Sequence, residues 1–144
     1  MKPFVSLIFS LVLAVFEVSA DPAVGGPKGG RLLESEGIRA EFFVEKDHSV
    51  TLTFYNDKLE RIPAGEQQAA MIAETSTGKK RIEFDLKNGE LSSKEPLPEG
   101  RGYVIVVQLK QDASSKAKNF RIPFETSVCG ECGRAEYACT CEGH

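Results

Sequence analysis

The sequence predicts an all-β fold: an antiparallel β-sandwich of about seven strands, carrying a cysteine-rich tail at its C-terminal end. Two observations carry this. Apolar side chains recur with a period of two through most of the body, and the runs that hold them are separated by short clusters of turn-forming residues. Helical periodicity is thin.

Taken in order, Arg39 to Lys46 is a short strand, closed by the turn residues Lys46-Asp47-His48. Val50, Leu52 and Phe54 then alternate with Thr51, Thr53 and Tyr55, which gives a strand with one face in the core. Asn56-Asp57 turns the chain. Ala64 to Ala73 could propagate a helical turn, but Pro63 and Gly65 interrupt its start, and Ala69 to Thr75 reads as a strand. Ile82, Phe84 and Leu86 alternate with Arg81, Glu83, Asp85 and Lys87. Asn88-Gly89 is the sharpest local signal: a type I′ turn needs positive φ at both central residues, so Lys79–Lys87 and Glu90–Lys94 should form a hairpin. Tyr103 to Leu109 is a continuous apolar run, expected as a central strand buried on both sides for part of its length. Phe120, Ile122 and Phe124 complete the set. The stripe Phe42, Phe54, Phe84, Phe120 and Phe124 reads as core rather than as a ligand pocket.

Four segments follow from composition. Residues 1–20 have the form of a signal peptide: a charge at Lys2, an apolar run from Pro3 to Phe16, and small residues at Val18-Ser19-Ala20, with cleavage expected after Ala20. The run is shorter than the ~20 residues that span a bilayer, so a retained anchor is not expected. Residues 21–30, rich in glycine and proline, read as a flexible leader. Residues 31–126 form the sandwich domain and residues 127–144 the cysteine-rich tail. The destination expected from the signal segment is a bacterial periplasm, with no membrane association after cleavage.

A net charge of -3 leaves no basic footprint for nucleic acid. No enzymatic set emerges either. Of the two histidines, His48 sits in a turn and His144 at the last position, so neither is fixed for a nucleophile–base arrangement. The carboxylates alternate along strands and read as a wet outer face. Gly25 to Gly30 lacks the pattern of a phosphate loop.

Chemistry concentrates in the tail. The four cysteines are Cys129, Cys132, Cys139 and Cys141, in the pattern Cys-x2-Cys-x6-Cys-x-Cys, with His144 following Cys141 after two intervening residues. A thiolate is a soft donor, and several gathered by so short a chain can wrap one d10 cation, Zn(II) or Cu(I). Cys-x-x-Cys-Gly has the form of a metal knuckle, whose bend turns backbone N–H groups toward sulfur; Gly133 suits the positive φ such a bend requires. The metal ligands expected are therefore Cys129, Cys132, Cys139, Cys141 and, as substitute or supplement, His144. Binding requires thiolates, so affinity should fall in acid.

The competing reading is a secreted protein-interaction module whose cysteines form structural disulfides, since an oxidising compartment favours them and four cysteines permit three pairings. A Cys-x-Cys bridge, however, must bend a segment with an extended reach of ~7 Å, near the limit for unstrained bridging. A thiol oxidoreductase ranks lower, because no βαβ pattern precedes the Cys-x-x-Cys.

The strand segments Ala40-Glu-Phe-Phe-Val44 and Val50-Thr-Leu-Thr-Phe-Tyr55, followed by Arg134-Ala-Glu-Tyr-Ala-Cys-Thr-Cys141, resemble small secreted immunoglobulin-like β-sandwich proteins that accompany heavy-metal efflux pumps of the resistance-nodulation-division type in Gram-negative bacteria. The resemblance spans residues 31–144, and its specific motif is the tail. It implies a periplasmic accessory role in metal resistance, an efflux component as partner, and the four cysteines as metal ligands. Met71 is the only methionine after the expected cleavage, so the methionine-rich pattern of common copper chaperones is missing.

Overall fold

The structure, a computed structural model, describes residues 23–141. The expected signal peptide and His144 lie outside the described residues. Among those described, the fold is all-β and antiparallel, with ten strands and one short 3-10 turn, and no helix is long and apolar enough to cross a membrane.

The strands are β1 (Val24–Gly25), β2 (Arg31–Ser35), β3 (Ile38–Val44), β4 (Val50–Tyr55), β5 (Arg61–Ile62), β6 (Gln68–Thr75), β7 (Gly78–Lys87), β8 (Glu90–Ser93), β9 (Tyr103–Lys110) and β10 (Lys118–Phe124). They form one curled sheet in the order β1-β2-β3-β4-β8-β7-β6-β9-β10, with β5 added to β4. Strand β7 links the two halves. Its first part, from Gly78 to Glu83, pairs with β6, and its second, from Phe84 to Lys87, pairs with β8. Curling brings the inward side chains of both halves into one core: Phe42, Leu52 and Phe54 from one, Met71, Ile105, Val107, Ile122 and Phe124 from the other.

All seven expected strands are present, with ends within a few residues. The count of about seven is corrected to ten, because β1, β2 and β5 have no alternating signature of their own. Leu32 and Leu33 in β2 are consecutive and both buried, and β1 and β5 are two-residue segments defined by their neighbours' ladders. The Asn88-Gly89 turn has φ of 51° and 75°, and Lys87 pairs with Glu90 across it. Strand β9 lies between β6 and β10, as a central strand should, but its burial alternates strictly. Tyr103, Ile105, Val107 and Leu109 face the core, while Val104 and Val106, on the opposite side, are only half-buried. Phe42, Phe54 and Phe124 are core residues, with Phe84 and Phe120 packed against them. Leu86, expected inside, is 56% exposed, next to the Asn88-Gly89 hairpin tip.

The leader also departs from expectation. Over Val24 to Gly30 it is held in place: Val24 and Gly25 pair with Leu32 and Arg31, and Gly26 receives the Gly29 N–H and donates to Gly30. The cause is Glu41. This carboxylate is fully buried, not on a wet face, and it accepts hydrogen bonds from the Lys28 N–H at 2.8 Å, the Gly30 N–H at 2.8 Å and the Tyr55 hydroxyl at 2.7 Å. A buried charge so surrounded by donors is satisfied, and it fastens backbone that composition alone marks as loose. A side chain at Gly26 would run into the Glu41 carboxyl.

Candidate metal centre

After β10 the chain doubles back. Val128 and Ala135 form an antiparallel bridge, and inside it the Cys129 N–H donates to the Arg134 carbonyl at 2.8 Å and the Gly133 N–H to the Cys129 carbonyl at 3.0 Å. Gly133 has φ of 70°, the left-handed conformation expected of a residue closing a knuckle. The 3-10 turn Glu136–Ala138 follows, and Cys139 leaves it in extended backbone.

This segment is not a mobile tail. The Tyr137 ring is buried, stands edge-on to Phe42 with centroids 5.7 Å apart, and lies 6.0 Å from Phe124. Ala138 is fully buried beside it. The Glu136 N–H donates to the Ser127 carbonyl and the Tyr137 N–H to the Glu125 carbonyl, so the turn is tied to the segment that follows directly on β10. The boundary expected between sandwich and tail near residue 127 is therefore crossed by the core itself. Tyr137 is the residue that sequence reasoning missed as part of the site; it stood as a mere spacer between the cysteine pairs, although an aromatic in an otherwise small and polar spacer was a usable signal.

The result is a cluster. The sulfur atoms of Cys129, Cys132, Cys139 and Cys141 all lie within 4.8 Å of one another, with Cys129 to Cys141 at 3.8 Å and Cys132 to Cys139 at 3.7 Å. All four are free thiols. Cys129 and Cys139 are buried and Cys132 and Cys141 half-buried. His48, the other histidine, is exposed in the turn between β3 and β4, with positive φ, and takes no part.

Electrostatics divides the thiols. The backbone N–H groups of Arg134 and Thr140 point at the Cys132 sulfur and bring its pKa down to about 6. At Cys139 the Cys141 N–H favours the thiolate, but burial and the neighbouring sulfurs outweigh it and the pKa rises. Burial, followed by the other thiols and Glu131, pushes Cys141 well above the ordinary thiol range. Four thiolates cannot share this volume without a cation among them, which is the condition for a site completed by metal. Arg134 does not supply that charge: its guanidinium turns away to the Gly26 and Gly30 carbonyls, each at 3.4 Å, and lies so close over Gly25 that a Cβ there would sit 2.7 Å from it.

A thiol cluster seated on an all-β body defines the class: a small β-protein with a four-cysteine centre able to hold a metal ion. Compared with family models, curated proteins and solved structures, the chain matches none.

Proposed function

We propose that this protein binds one thiophilic metal ion, of the Zn(II) or Cu(I) class, through Cys129, Cys132, Cys139 and Cys141, without catalysing a reaction. One observation carries the reading. A tetrahedral site with metal–sulfur bonds of ~2.3 Å has sulfur–sulfur edges of about 3.8 Å. The separations of 3.8 and 3.7 Å match that edge, whereas a disulfide would bring sulfurs to ~2.05 Å. Four sulfurs within 4.8 Å of one another, two of their pairs at the tetrahedral edge, suit a four-coordinate ion, and they leave His144 as a supplement rather than a necessary ligand.

The wider setting belongs to the same proposal. An apolar N-terminal segment of signal-peptide form supports a periplasmic location, and the tail's resemblance to proteins accompanying heavy-metal efflux supports an accessory role in metal resistance, with an efflux component as partner. The curled sheet with one shared core supports reading the body as an immunoglobulin-like sandwich that holds the cluster at one end. The alternative, an interaction module stapled by disulfides, fits less well with four thiols at metal-ligand spacing.

Native mass spectrometry of the reduced protein, offered Zn(II) and Cu(I) in competition without air, tests the proposal. One ion per chain, with all four thiols protected from alkylation, is the expected result. Two disulfides and no metal uptake after mild reduction would reject it.

A further inference from the structure

Resting on that metal-binding reading, we propose that the centre is redox-gated: a two-electron oxidant of the hydroperoxide class expels the ion by joining Cys129 to Cys141 and Cys132 to Cys139.

Three observations select this connectivity from the three that four cysteines allow. The first is proximity. These are the pairs at 3.8 and 3.7 Å, so each needs about 1.7 Å of approach to reach bonding distance. The second is backbone reach. A bridge between Cys139 and Cys141 would have to bend a two-residue span whose extended reach is ~7 Å, near the limit for unstrained bridging. Once that bridge is lost, its complement between Cys129 and Cys132 leaves two thiols unmatched. The third is access. Each selected pair joins one half-buried thiol, Cys141 or Cys132, to one buried thiol, Cys129 or Cys139. The remaining connectivity would join the two buried sulfurs to each other and the two half-buried ones to each other, leaving the inner pair without a member that oxidant reaches.

The chemistry closes on its own atoms. With hydrogen peroxide as the member of that class, the half-buried sulfur attacks one peroxide oxygen; the O–O bond breaks, giving a sulfenic acid and one water after protonation. The buried partner then attacks that sulfur, the S–S bond forms, and the hydroxyl leaves as a second water. One peroxide is reduced and two thiolates are oxidised. Two pairs consume about two peroxides and four protons per chain, yield four waters, and leave the ion with no sulfur ligand. Because Tyr137 and Ala138 hold the frame from the core side, the sulfurs close without the segment leaving the sheet.

The test uses the full mature chain, loaded with Zn(II) and then titrated with hydrogen peroxide in the presence of a chromogenic zinc chelator. Loading is measured first, so a protein that takes up no zinc fails the metal-binding reading before oxidation begins. Chelatable zinc should rise roughly tenfold or more, with complete release near two equivalents of peroxide. Cleavage after Glu131, Arg134 and Glu136 separates Cys129 and Cys132 from the Cys139–Cys141 peptide, and both should be found attached to it. The double variant C129S/C141S should form one intramolecular disulfide at least about tenfold faster than C129S/C139S. Zinc retained by the oxidised protein, a Cys129–Cys132 link, or equal rates in the two variants would overturn the proposal.

Discussion

The Tyr137 hydroxyl accepts a hydrogen bond from the Val44 N–H at 3.1 Å, joining residues 93 positions apart. Through this contact the knuckle is held against the end of β3, and the ring beneath it fills the space between Phe42 and Phe124. The position of the sulfur cluster on the sheet is therefore set by an aromatic side chain that ligates nothing.

Replacing Tyr137 separates its two contributions. Tyr137→Phe keeps the ring and leaves the Val44 N–H without its partner, so a loss of about 1 kcal/mol is expected in urea unfolding. Tyr137→Ala empties a core position and should cost about 3–5 kcal/mol, with metal affinity falling in parallel because the cysteines lose their common frame. Unchanged zinc affinity in Tyr137→Ala would show that the knuckle assembles independently of the body.

Glu41→Gln tests the fastening of the leader. An amide has one oxygen where the carboxylate has two, and it loses the charge-assisted bonds to Lys28, Gly30 and Tyr55. A loss of about 1.5–3 kcal/mol is expected. Amide hydrogen exchange at Lys28 and Gly30 should accelerate more than exchange in β9; uniform acceleration would contradict a local role.

In the metal-free reduced protein, Cys132 should be the first thiol alkylated near neutral pH. With its pKa at about 6, the thiolate predominates above that pH and disappears below it, so the rate at Cys132 should fall as pH drops through about 6. Peptide mass analysis after a short iodoacetamide pulse reads this directly, and zinc loading should abolish the labelling. Faster labelling at Cys141 would be inconsistent with the N–H groups aimed at Cys132.

Stability should decline at alkaline pH because of three buried tyrosines. Burial raises the pKa of Tyr55, Tyr103 and Tyr137, Tyr103 to about 12. Below the ordinary tyrosine pKa of ~10 both states are protonated and the contribution is intact. Above it the unfolded chain ionises first, so stability is lost as pH rises from about 10 through the raised folded values. Chemical unfolding followed at pH 8, 10 and 11 should show this fall; a flat profile would argue that these hydroxyls are solvated.

Gly133→Ala places a Cβ on backbone at φ of 70°. The expected cost is about 1 kcal/mol, concentrated at the knuckle, and zinc affinity should fall several-fold while the rest of the sheet stays intact. Circular dichroism with a zinc competition titration distinguishes the two effects.

Residue order alone determined seven of the ten strands, the Asn88-Gly89 hairpin and the four cysteines that cluster. Period-two alternation, a turn that demands positive φ, and thiol spacing are local properties that need no partner to be read. Tertiary structure decided the rest. The strands β1, β2 and β5 exist because neighbouring ladders supply their hydrogen bonds; Glu41 is buried because the Gly26–Gly30 turn wraps it; and Tyr137 is core because the curled sheet leaves room between Phe42 and Phe124. Each of these depends on groups meeting in space, from Val24 and Leu32, 8 positions apart, to Phe42 and Tyr137, 95 apart, and the alternation of apolar residues along the chain does not report such meetings.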